Sequence, residues 1–133
     1  MTKAPSKPSV DRLRLKRVYD PPARGDGVRV LVDRLWPRGL SREKAAVDEW
    51  MPDVAPSADL RRWFGHDPAR WDEFRRRYIA ELDTRPDAVE ALAARVHGRR
   101  ATLVFGARDA EHNQAVVLGE YLRRHRGRSQ GST

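Results

Sequence analysis

Seven consecutive residues, Asp33-Arg34-Leu35-Trp36-Pro37-Arg38-Gly39, carry the densest chemistry in this chain. Two guanidinium groups, a carboxylate and an indole lie within one loop that Pro37 and Gly39 restrict. Arg34 and Arg38 can grip a phosphate or carboxylate through paired N–H donors, and Trp36 can stack on a ring. Asp33 would then serve as a general base or an orienting carboxylate. The same residues allow a structural reading: an Asp33–Arg34 or Asp33–Arg38 ion pair fixing the loop, with Trp36 as a core plug. A second segment, Gly106-Ala107-Arg108-Asp109-Ala110-Glu111-His112-Asn113, combines small residues with the start of a helix, where backbone N–H groups favour an anion. Asp109 is the expected helix N-cap, and Asn113 a hydrogen-bond donor in the first turn. His112 is either a proton donor and acceptor or a half-exposed surface residue. His66, just before Asp67, is expected to staple onto Trp71 rather than bind a ligand. No cysteine is present, and the four histidines show no metal-ligand spacing. Neither a metal nor a cofactor is therefore expected; phosphate-loop and dinucleotide signatures are missing too.

The elements around these segments must place them at one edge of a sheet. Leu13 to Tyr19 suggests a first strand, ended by Asp20-Pro21-Pro22, and Val28 to Val32 reads as a buried second strand. Ser41 caps a helix expected to run to about Trp50, and Ser57 begins a short one that Gly65 ends. Asp67-Pro68 opens the next helix, where Trp71, Phe74, Tyr78 and Leu82 form one apolar stripe. A further helix over 87–97 stops at Gly98, Ala101 to Phe105 is a strand, and a last helix buries Val117, Leu118, Tyr121 and Leu122. Strands alternating with helices indicate an α/β fold: a single three-layer domain with a small, mostly parallel sheet flanked by helices. Only eight residues, Asp20 to Gly27, join the first two strands, which allows either an antiparallel hairpin or an unusually tight crossover. In open α/β sheets ligands bind beyond the carboxyl ends of the strands, which is where both chemical segments fall.

The chain of 133 residues suits one domain, with 1–11 read as a disordered leader, 12–123 as the folded part and 124–133 as a disordered basic tail. The formal charge is +8, of which Lys3, Lys7, Arg123, Arg124, Arg126 and Arg128 supply six units, leaving a nearly balanced body. Basic ends can hold nucleic acid through phosphate neutralisation, but the body lacks the broad basic face of a dedicated binder. No apolar run at the N-terminus suggests a signal or anchor, so a cytoplasmic protein without membrane contact is expected.

Taken together, Arg17-Val18-Tyr19-Asp20, the string from Val32 to Gly39, Glu49-Trp50, Pro56-Ser57 with Leu60-Arg61, Phe74, Tyr78, Glu81-Leu82, and Asn113 with Ala115 resemble the YeaO-like family of small bacterial proteins in the DUF488 group. The match spans about 14–123. The resemblance implies a fold and no particular reaction, and it singles out Asp33, Arg34, Trp36, Arg38, Arg61, Glu81 and Asn113 while lowering His112. Broader relatives carry a cysteine at the strand end near Gly106; its absence here implies that thiol chemistry is excluded. The combined expectation is an enzyme or binding domain for a small anionic, phosphate- or nucleotide-like ligand. Asp33, Arg34, Arg38 and Asn113 form its working core, and Trp36, Arg61, Glu81, Asp109 and His112 surround the ligand. The alternatives are a nucleic-acid-associated protein using its arginines and basic tail, or an adaptor without chemistry.

Overall fold

The computed structural model describes residues 13–131, with side chains as far as residue 124. Four strands, β1 (Leu13–Arg17), β2 (Val28–Leu31), β3 (Glu49–Trp50) and β4 (Ala101–Phe105), form an all-parallel sheet in the order β1-β4-β2-β3. The helices are α1 (Arg42–Ala45), α2 (Ala58–Phe64), α3 (Trp71–Asp83), α4 (Pro86–Val96) and α5 (Gln114–Gly131). The α/β expectation holds.

The strand that arrives last in the chain takes a central position. β4 pairs with β1 from Leu13↔Ala101 to Arg17↔Phe105 and with β2 from Val28↔Ala101 to Leu31↔Val104. β1 and β2 are therefore neither a hairpin nor direct neighbours; they run parallel on either side of β4. A helix is not needed to return the chain, because residues 18–27 reach roughly 33 Å when extended, against about 19 Å for a five-residue strand and two inter-strand steps. Gly27 closes this connection at φ 64°, and a Cβ there would lie 2.1 Å from the Arg100 carbonyl oxygen. Only glycine fits.

Side-chain alternation divides the sheet into two faces. Val30, Val32, Leu103 and Phe105 join Phe74, Tyr78 and Leu82 of α3, Val89, Leu92 and Val96 of α4, and Leu118 and Leu122 of α5 in the main core. Trp71, the fourth member of the predicted stripe, is only partly buried against it. The opposite face buries Leu31 and Val104 with Val18 and Ala45, under Trp36, Leu40, Val47 and Trp50.

Caps set several boundaries as the sequence indicates. Ser41 and Ser57 accept hydrogen bonds from the backbone of Lys44 and Leu60, and Gly65 closes α2 in the left-handed region. Asp67 accepts from Ala69, but the turn it opens, Pro68–Arg70, is a 3-10 turn preceding α3. The helix expected from Ser41 to Trp50 ends after Ala45, and Glu49–Trp50 instead pairs with Val30–Leu31. Asp48 explains the change: its carboxylate accepts from Arg29 N–H at 2.8 Å, and its own N–H donates to the Arg29 carbonyl at 2.8 Å. That pairing satisfies strand backbone that a longer helix would have left open. At the other end of the chain, α5 continues to Gly131, so backbone expected as a structureless tail from residue 124 is helical to that point. The leader 1–11 lies outside the described residues. No helix among them is long and apolar enough to cross a membrane.

Candidate functional site

The loops leaving β1, β4 and β2 emerge side by side at the carboxyl end of the sheet. The main-chain ladders continue one residue further, with Val18 N–H donating to Phe105 at 2.7 Å and Val32 N–H donating to Val104 at 3.1 Å. Tyr19, Gly106 and Asp33 thus follow three adjacent strands and line one cleft of about 560 Å³, which α2 and the start of α3 close from the side. Arg34, Trp36, Arg38, Arg61, His112 and Asn113 also line it. The two sequence segments converge.

Asp33 connects them. Its Oδ2 accepts the Gly106 N–H at 2.9 Å, and its Oδ1 accepts the Gln114 amide at 2.5 Å, so one carboxylate ties the β2 loop to the β4 loop and α5. A Cβ at Gly106 would lie 2.8 Å from Oδ2, which makes glycine the residue this contact requires. Burial pushes the Asp33 carboxyl above the ordinary value; the two hydrogen bonds and the nearby Arg61 charge offset that only in part. The alternative pairing of Asp33 with Arg34 or Arg38 does not form.

The side chains of Arg34, Arg38 and Arg61 are exposed and make neither a hydrogen bond nor an ion pair among the described residues. Arg62, also on the wall, is paired with Asp59. Asp33 is the only carboxylate lining the cleft among the described residues, so the hollow combines three exposed guanidinium groups with one half-buried acid on which the Arg61 charge acts. Such a surface favours an anion over a cation.

Hydrogen bonds fix the walls. Trp36 Nε1 donates to the Leu40 carbonyl at 2.7 Å, and its indole meets Trp50 edge-on at 5.5 Å; Trp50 Nε1 in turn donates to the Asp33 carbonyl at 2.8 Å. Trp36 therefore lines the cleft and plugs the second core at once. The Tyr19 hydroxyl donates to the Arg38 carbonyl at 2.8 Å, and Arg17 Nε donates to the Ala107 carbonyl at 2.9 Å.

Several expected roles change. Asp109 does not cap α5 and does not line the cleft: its Oδ1 accepts the N–H groups of Glu111 and His112, and its Oδ2 lies 2.9 Å from His112 Nδ1. These backbone bonds and the His112 contact hold the Asp109 carboxyl below its usual range. The cap is Asn113, whose Oδ1 accepts from Ala115 at 2.9 Å and from Val116 at 3.3 Å, while its Nδ2 donates to the Asp109 carbonyl. Asn113 is 3% exposed and lines the cleft with its side chain engaged in these bonds. His112 lies two residues before α5, not within its first turn, and meets Trp71 edge-on at 5.2 Å. The ring of His66 lies 6.3 Å from Phe64 instead of stapling to Trp71, and His66 borders the cleft. Glu81 stands outside the lining: its carboxylate accepts the Ser57 N–H at 2.9 Å and the Ser57 hydroxyl at 2.6 Å, locking the start of α2. Sequence reasoning overlooked Tyr19 and Gln114. Tyr19 directly follows a strand and Gln114 adjoins the singled-out Asn113, so position relative to strand ends was the available signal. Among the described residues no group of His, Asp or Glu could hold a metal ion.

A family model described as the inactive DUF488-N3 subclade matches residues 12–133. The chain is 40% identical over 111 residues to the uncharacterized protein YeaO of Escherichia coli (strain K12), covering 84% of this chain and 96% of that protein. It is 42% identical over 112 residues to the uncharacterized protein Rv3073c of Mycobacterium tuberculosis, covering 84% and 93%. No solved structure gives a significant match.

Proposed function

Since this chain belongs to the DUF488 family and matches the subclade described as inactive, we propose that it is a binding domain for a small anionic, phosphate- or carboxylate-bearing ligand and does not turn it over. The observation that carries this reading is the set of three exposed guanidinium groups, Arg34, Arg38 and Arg61, on one cleft beyond the strand ends, none of them in a hydrogen bond or ion pair among the described residues and only Arg61 near an acid, Asp33. Arginines retained for structure alone ordinarily find carboxylate or carbonyl partners, as Arg29, Arg75 and Arg85 do here. The description of the subclade as inactive and the lack of any cysteine support binding without covalent chemistry. Asp33, engaged by Gly106 and Gln114, shapes the cleft instead of abstracting a proton.

Calorimetric titration of the full chain at low ionic strength with inorganic phosphate and with nucleoside monophosphates tests the reading. At least one anion should bind, and the double substitution Arg34→Ala, Arg38→Ala should weaken it tenfold or more, because each charge-assisted contact contributes roughly 1.5–3 kcal/mol. Absence of binding by every anion would end the proposal. Binding only to an oligonucleotide, lost when residues 123–133 are removed, would instead place affinity in the basic C-terminal segment.

A further inference from the structure

We infer that the ligand of this cleft is an amphipathic organic anion, whose flat apolar body lies against Tyr19 and Leu35 while its phosphate or carboxylate meets Arg34, Arg38 and Arg61. The inference rests on the anion-binding reading and narrows it. Tyr19 (42% exposed) and Leu35 (65% exposed) are the large hydrophobic side chains left exposed among the described residues, and both line this cleft. Single exposed apolar residues are ordinary; their coincidence in one hollow with the unpaired arginines is a pattern associated with ligand sites.

Geometry adds two arguments. The Tyr19 ring is held in advance, with its hydroxyl on the Arg38 carbonyl at 2.8 Å and the Arg17 guanidinium 5.1 Å from its centroid, so stacking on it forfeits little conformational freedom. The cleft volume, about 560 Å³, falls among organic-ligand sites, whereas a bare oxyanion would fill only a small part of it.

Titration of the full chain with inorganic phosphate, phenyl phosphate and AMP decides the matter, with Leu35→Ser as the variant because an exposed side chain is replaced without disturbing the core. Phenyl phosphate and AMP are expected to bind at least tenfold more tightly than inorganic phosphate. Leu35→Ser should reduce that advantage to threefold or less while leaving inorganic phosphate unchanged. Equal affinity for all three probes, or an advantage that Leu35→Ser does not alter, overturns the inference and leaves the anion site standing. If none of the probes binds, both readings fall together.

Discussion

Asp33 is the residue at which folding and site chemistry meet. Its carboxylate fastens two loops, yet burial raises its proton affinity above that of an ordinary aspartate. A carboxyl whose folded value is raised binds protons more readily in the native state, so its favourable contribution is complete below the ordinary carboxylate value near 3.8 and is lost as pH rises through the folded value. Asp33→Asn keeps an oxygen for the Gly106 N–H and removes the charge. Denaturation midpoints measured from acid to neutral pH should therefore move in favour of the variant, relative to wild type, as pH rises through this window. A difference independent of pH would show that folding does not raise the proton affinity of this carboxyl. At this scale the sequence revealed residue types and could not assign partners. The strand-end position of Asp33 was legible, but its bonds to Gly106 and Gln114 join residues 73 and 81 positions apart, and nothing local encodes them.

At the scale of elements, the start of α5 is where local rules misled. Asp109 follows a strand and a glycine and is a favoured N-cap type, but its carboxylate is consumed by a turn over Glu111 and His112. Asn113 then supplies the cap four residues later. Asn113→Ala should cost about 1–2 kcal/mol, because it leaves the buried N–H of Ala115 unsatisfied, whereas Val116 keeps its bond to the Asn113 carbonyl. Asp109→Ala, removing a partly exposed turn contact, should cost less. Urea denaturation of both variants checks the order, and the reverse order would restore Asp109 as the cap. Elements with a long apolar stripe or two unambiguous ends, such as α3 and β4, were legible because their signals repeat. The two-residue β3 was not: a strand that short has no period, and its existence depends on Asp48 meeting the backbone of Arg29, 19 residues earlier.

Over the whole molecule, the central insertion of β4 requires something to hold β1, β2 and their connection together, and a buried ionic node does so. Asp26 and Arg29 are 4% and 3% exposed, with Arg29 Nη1 donating to Asp26 Oδ2 at 2.6 Å. Lys16 of β1 lies 3.1 Å from the same oxygen, and Thr102 of β4 donates its hydroxyl to the Asp26 carbonyl at 2.8 Å. Arg29 also donates to the carbonyls of Ala46 and Ala45, at 2.9 and 2.8 Å, so β1, β4, β2 and α1 share one cluster. Burial alone would raise the Asp26 carboxyl; the Ala23 N–H, Lys16 and Arg29 outweigh it and hold the group below its usual value. The stability this supplies is present above the ordinary carboxylate value and is lost as pH falls through the lowered one, opposite in sign to Asp33. Arg29→Met removes the more buried of the two cations that answer Asp26, leaving Lys16, and orphans the two alanine carbonyls, which should cost about 3–5 kcal/mol, a large share of the stability of a domain this size. In urea the variant's midpoint should fall by the corresponding amount with the slope unchanged. A loss below about 1 kcal/mol would mean that the surrounding apolar packing, and not this cluster, sets the order of the strands.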